Sequence, residues 1–186
     1  MTIKLMDIDA FRNLLCTLQE ASTPNSVEDE IRKESVTNST IIAINFDNVT
    51  SVYAKKLGKV PTSSDVLYQH KGKDIYFVEF KSSKPTGQIR EELKLKATES
   101  LLTFMELTKT DRDYARNHMT FVVVFREQEK SERERHHNMQ LKRGKQPATK
   151  GLKLGRLKGM YFKDVLTQSS NEFEDYITQQ GWTSMA

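Results

Sequence analysis

Residues Met119–Phe125 (Met-Thr-Phe-Val-Val-Val-Phe) form an almost unbroken apolar run. Such a run suits a strand covered on both faces, as in a mixed or parallel sheet with helices packed around it. The rest of the chain must then supply those helices and the neighbouring strands. Ile89, Leu93, Ala97, Leu101 and Met105 recur every fourth residue and predict a long helix over residues 88–108. Its exposed sides are expected to carry Arg90, Glu91, Lys94, Lys96 and Glu99.

Other segments fill in the pattern. Asp7 can cap a helix over residues 7–21, with Ile8, Phe11, Leu14, Leu15 and Leu18 on one stripe. Ser26 to Asp29 reads as a capping box that opens a short acidic helix over residues 26–34. Residues 40–46 look like a strand, and the β-like residues 49–54 are expected to pair with it. Two further strands, over residues 65–69 and 74–82, flank the turn Lys71-Gly72-Lys73. A last helix over residues 170–179 turns Phe173, Tyr176 and Ile177 inward, Gly181 stops it, and Trp182 is expected to pack against it. The fold class is therefore α/β, a mixed central β-sheet flanked by helices, with residues 1–186 as a single domain.

Within this frame, the hairpin carries the chemistry. One strand opens on Ser64-Asp65-Val66-Leu67 and the other ends on Tyr76-Phe77-Val78-Glu79-Phe80-Lys81. Residues i and i+2 of a strand point to the same side, so Glu79 and Lys81 project together and the hairpin can bring Asp65 beside them. Two carboxylates on one sheet face are costly unless a cation sits between them, and a divalent metal with hard oxygen ligands is the simplest such cation. A second Glu-x-Lys, Glu92-Leu93-Lys94, lies in the predicted long helix, where i and i+2 do not share a face. The plain structural alternative makes Glu79 and Lys81 a surface pair on an edge strand and Asp65 a turn residue. Against it, Ile75, Phe77, Val78 and Phe80 make both sides of that strand largely apolar.

Charge adds a second feature. The chain carries a net +4, yet residues 126–158 hold eleven Lys/Arg against four Asp/Glu, a local +7 that leaves −3 for the remainder. Residues 140–158 contain seven basic side chains and no acid. Such a segment, read as a flexible basic excursion over residues 127–158, matches a polyanion better than a membrane surface. A solvated loop whose charge only aids solubility is the alternative. The single cysteine, Cys16, leaves no internal disulfide or cysteine-based zinc site. It is expected to be a buried structural thiol. No run approaches membrane-span length and the first residues lack a secretory apolar region, so a cytoplasmic location without membrane contact is expected. There is no Gly-x-Ser-x-Gly, P-loop, dinucleotide fingerprint or zinc finger.

Ser64-Asp65-Val66-Leu67 followed by Tyr76-Phe77-Val78-Glu79-Phe80-Lys81 resembles the PD-(D/E)xK nuclease superfamily, over about residues 26–125. The chain is also loosely similar to small phage and bacterial proteins in which a Glu-Phe-Lys strand precedes a lysine-bearing helix, which points to a prokaryotic or phage-infected host. The superfamily resemblance implies a restriction-endonuclease-like core and Mg²⁺- or Mn²⁺-dependent cleavage of DNA, with RNA as the other substrate. It implies that Asp65 and Glu79 bind the metal with the carbonyl of Phe80. Lys81 would position or deprotonate the attacking water, or stabilise charge on the phosphate. A helix glutamate often joins such sites, and Glu30 is the choice, with Glu28 or Glu34 in reserve. Ser64 stands where the family's motif has proline. Candidate nucleic-acid contacts are Lys84, Gln88, Lys142, Arg143, Lys145, Lys150, Lys153, Arg156 and Lys158, with Lys94 and Lys96 flanking. Nucleic acid, a protein partner and a second copy of the chain are all expected partner classes. The resemblance also leaves open a non-catalytic nucleic-acid-binding or phage-encoded regulatory protein on the same fold, and an adaptor that uses the basic segment.

Overall fold

The computed structural model describes residues 3–24, 34–55, 58–82, 87–126 and 152–185. Six strands form one mixed sheet in sequence order: β1 (Leu15–Thr17), β2 (Ile42–Asn45), β3 (Val66–His70), β4 (Asp74–Lys81), β5 (Met119–Phe125) and β6 (Asp164–Ser169). The pairs β1–β2, β2–β3 and β3–β4 are antiparallel, whereas β4–β5 and β5–β6 are parallel. Parallel pairing requires a crossover, and the 22-residue helix α4 (Gly87–Thr108) with the short α5 (Arg112–His118) makes the one from β4 to β5. Every residue of β5 is buried, as its apolar run requires.

The two sheet faces bury different clusters. Ile44, Leu67, Ile75, Phe77, Phe121 and Val123 face Leu93, Ala97, Leu101 and Phe104 of α4. Val66, Tyr68, Tyr76, Val78, Phe80, Val122 and Val124 face Phe173 and Ile177 of the last helix, α6 (Ser170–Gln180), together with Trp182. Trp182 stacks on Tyr68 with ring centroids 3.9 Å apart. Each fully buried Phe, Ile or Val contributes about 1.5–3 kcal/mol. That stabilisation offsets the cost of ionisable groups inside the fold.

The N-terminal region departs from the expected single helix over residues 7–21. A 3₁₀ turn (Leu5–Asp7) and α1 (Asp9–Arg12) come first, and β1 then interrupts the helical stripe before α2 (Leu18–Ala21). Strand β1 takes its hydrogen bonds from the sheet, with Leu15 opposite Ile44 and Thr17 opposite Ile42. Thr17 and Glu20 form a capping box that restarts the helix. Residues 49–54, expected as a strand, belong to α3 (Phe46–Ala54), because the Asn45 side chain accepts from the Asn48 N–H and caps the helix. Leu152, Leu154 and Leu157, at the end of the basic segment, are buried in the α4-side core. Of the expected acidic helix over residues 26–34, only Glu34 lies among the described residues, and it is not helical.

Candidate functional site

The period of β4 builds the site. Ile75 and Phe77 face α4, so Glu79 and Lys81 face it too, as the strand reaches its C-terminal end. In the hairpin Val66 pairs with Val78, and extending that register by one residue sets Asp65 opposite Glu79. The stretch before β3 is pinned from several sides. Glu99 of α4 accepts from the Thr62 N–H and hydroxyl at 2.5 and 2.7 Å, and the Ser64 N–H donates to the Ser100 hydroxyl at 2.8 Å. The Phe46 N–H donates to the Asp65 carbonyl at 3.0 Å. The serine in the motif's proline position thus has a partner on α4 that proline, lacking an N–H, would forgo.

Glu79 is fully buried between β3, β5 and α4, and the surface-pair reading of Glu79 and Lys81 falls with that observation. Its Oε1 lies 2.9 Å from Lys81 Nζ and 2.8 Å from Lys96 Nζ. Its Oε2 is buried and has no partner among the described residues. Lys96, expected on the exposed side of the long helix, instead turns inward, with its side chain 18% exposed and Nζ 3.8 Å from Asp65 Oδ1. The other Asp65 oxygen accepts from the Phe80 N–H at 2.7 Å. Lys81 is held from the other side by Glu92 Oε1 at 2.6 Å, so the helical Glu-x-Lys copy sends its glutamate to the strand copy's lysine.

The electrostatics follow from burial. Burial, then the charge of Glu79, push the Asp65 carboxyl well above the usual carboxylate range, despite Lys96 and the Phe80 N–H. Burial also raises Glu79, although Lys96 and Lys81 pull against it. For Lys81 burial works against the charge, but Glu79 and Glu92 more than offset it and the pKa stands above the ordinary lysine value. Lys96 is raised likewise by Glu79 and Asp65 against the effect of burial. The neighbouring carboxylates thus favour the ammonium form of both lysines, the form in which Lys81 can stabilise charge on a phosphate.

A cleft of about 300 Å³ opens onto this set, lined by Asp47, Asp65, Phe80, Lys81 and Ser82 with Ala21 to Pro24 and Val36. Asp47, in the first turn of α3, accepts from the Ser63 hydroxyl and adds a further carboxylate that sequence reasoning did not single out. Fully ionised, Asp47, Asp65, Glu79 and Glu92 against Lys81 and Lys96 carry −4 + 2 = −2. Among the described residues no three His, Cys, Asp or Glu side chains form a ready metal cluster. The two opposed carboxylates, with one buried oxygen unpartnered, nevertheless fit a hard divalent cation in donor chemistry.

Other expected residues lie elsewhere. Glu30, Glu28, Lys84, Lys142, Arg143, Lys145 and Lys150 fall outside the described residues. Glu34 is exposed, and its carbonyl accepts from Arg126. Gln88 is exposed in the first turn of α4, and Lys153 and Arg156 are exposed beside the 3₁₀ turn Leu154–Leu157. Lys158 pairs with Asp164 at 2.8 Å, level with Thr120 and hence with Tyr76. At about 3.3 Å per residue, Lys158 stands about 10–17 Å down the sheet from Glu79 and Lys81. Cys16 is half-buried in edge strand β1, its thiol pushed up to about 11 by burial and then by Glu20, which leaves it unreactive at neutral pH. No described helix is long and apolar enough to cross a membrane. Comparison with protein-family models, curated proteins and solved structures finds no significant match to this chain.

Proposed function

We propose that this chain is a metal-dependent nuclease of the PD-(D/E)xK type, hydrolysing phosphodiester bonds in DNA or, as the other candidate substrate, RNA. The observation that carries the reading is the Asp65–Glu79 opposition, with Lys81 two residues on along the same strand face and a cleft at their edge. The strand order supports it as well: an antiparallel meander β2-β3-β4, a helix, then a parallel β5, the element sequence the resemblance implies for a restriction-endonuclease-like core.

In this reading Asp65, Glu79 and the Phe80 carbonyl hold Mg²⁺ or Mn²⁺. The bound ion would supply Lewis-acid polarisation of the phosphate and a more acidic water. Lys81, fixed by Glu79 and Glu92, offers its ammonium to the charge that builds on the phosphate oxygens. The Phe80 N–H orients Asp65 toward the cleft side of the sheet. Basic side chains at Lys153 and Arg156, with those of the basic segment, would track the phosphate backbone away from the reacting bond.

A second reading, a binding-only protein on the same fold, has one observation in its favour: Lys96 already stands beside both carboxylates. Cleavage of mixed plasmid, linear and single-stranded substrates with Mg²⁺ or Mn²⁺ separates the two. The nuclease reading expects cutting that EDTA abolishes and that Lys81→Ala lowers at least 100-fold, with nucleic-acid affinity largely kept. Salt-sensitive binding with no cutting by either protein would favour the second reading.

A further inference from the structure

The fold turns a half-buried lysine into this site, and the place it occupies has a consequence for any metal. Lys96 lies on the sheet-facing side of α4 beside Ala97, which is fully buried. Its Nζ is 2.8 Å from Glu79 Oε1 and 3.8 Å from Asp65 Oδ1. An ammonium is a compact charge on a flexible four-carbon stem, so it can fill a cation position without imposing a coordination geometry. Glu79 itself has no solvent-exposed surface and does not line the cleft, whereas Asp65 does. A cation that enters from the cleft therefore meets Asp65 first, and the Glu79 oxygen nearest Lys96 is already committed.

We infer that Lys96 is the resident cation of the Asp65–Glu79 pair, and that a divalent ion gains both carboxylates only by displacing its ammonium. This rests on the nuclease reading and adds regulation to it: metal occupancy and the position of Lys96 are mutually exclusive. The unpartnered Glu79 Oε2 leaves the carboxylate able to reorient once the ammonium withdraws. Lys96 then becomes a positioning residue that sets how much metal the site requires, whereas Lys81, anchored at its outer side by Glu92, stays in place.

The test is Mn²⁺ binding to the intact chain by titration calorimetry at fixed ionic strength, with no nucleic acid present. Wild type is compared with Lys96→Gln, Lys96→Arg and Lys94→Gln. Lys96→Gln is expected to bind Mn²⁺ at least tenfold more tightly, about 1.4 kcal/mol. Lys96→Arg, which keeps a cation, is expected to gain nothing. Lys94→Gln removes the same charge from an outward position, where Lys94 pairs with Glu91, and should stay within twofold of wild type. Equal or weaker binding by Lys96→Gln, with wild type binding normally, overturns the displacement and leaves the nuclease reading intact. Absence of Mn²⁺ binding by every protein overturns both. Urea unfolding with and without Mn²⁺ covers a variant that folds poorly: a larger Mn²⁺-induced rise in midpoint for Lys96→Gln than for wild type supports the inference, and an equal or smaller rise defeats it.

Discussion

The chain contains the same three-residue pattern twice at one site, and the two copies behave differently. In Glu79-Phe80-Lys81 the strand's period of two sends both charged side chains to the α4 face, where they meet at 2.9 Å. In Glu92-Leu93-Lys94 the helix separates the same two positions by about 200° around its axis. Glu92 therefore reaches down to Lys81, whereas Lys94 turns away and pairs with Glu91 at 3.0 Å. The helical residue that shares Glu92's direction is Lys96, one turn on, and it is the one that enters the site. Spacing acquires chemical meaning only through the element that carries it.

The comparison is most easily broken through its two extremes. Glu79→Ala leaves Lys81 and Lys96 (15% and 18% exposed) facing each other without the carboxylate they share. Breaking a buried pair of this kind costs about 3–5 kcal/mol. Lys94→Ala removes only an exposed pair on the helix and should change stability by no more than about 0.5 kcal/mol. Urea unfolding of the two variants measures the difference. Similar losses would mean that Glu79 is not the counter-charge on which Lys81 and Lys96 depend.

A smaller effect of opposite sign is expected at Asp65. Its folded pKa lies above the unfolded value of about 3.9, so over the window between the two the folded state holds a proton that the unfolded state has released. Stability then falls as pH rises through that window, and Glu79 adds a contribution of the same sign. Asp65→Asn removes one of the two contributors and can still accept from the Phe80 N–H. It should be more stable than wild type at neutral pH, by less than the loss expected for Glu79→Ala. Its stability should also decline less from acid to neutral pH, and on the proposed nuclease reading cleavage should be lost. A variant less stable than wild type at neutral pH would show that Asp65 is needed to balance Lys96.

These contrasts also explain what could be read in advance. The hairpin, β5, the long helix and the last helix announced themselves through β-branched or aromatic runs and through regular apolar spacing. Strand β1 did not, because three residues carry no period and Leu14, Leu15 and Leu18 imitate a helical stripe. Helix α3 was hidden by Val49, Thr50 and Val52, residues of strand preference that Asn45 overrides as a cap. At the site, Asp65, Glu79 and Lys81 lie on one hairpin, so local spacing was enough to place them. Asp47, Glu92 and Lys96 come from two helices, and their convergence depends on how those helices dock. One signal was present for Lys96. It lies four residues after Glu92 and next to Ala97 of the buried stripe, a position at the edge of the core and not on the solvent side.

The finest distinction concerns Glu92, which is 45% exposed yet holds Lys81 at 2.6 Å. An ion pair with one partner this accessible contributes about 1 kcal/mol or less to stability, so Glu92→Gln should barely move the unfolding midpoint. Its consequence for Lys81 is of another kind. Burial lowers the lysine's pKa, and Glu79 and Glu92 together raise it above the ordinary value. Removing one of those carboxylates gives burial more weight, so the Lys81 titration, followed by NMR of labelled lysine, should shift to lower pH. The stability that Lys81 contributes is complete below the unfolded lysine value and is lost as pH rises through the folded one, so in the variant that contribution is smaller and is gone at a lower pH. An unmoved titration would make Glu92 a bystander, and the helical copy of the motif would then owe its place near the site to packing alone.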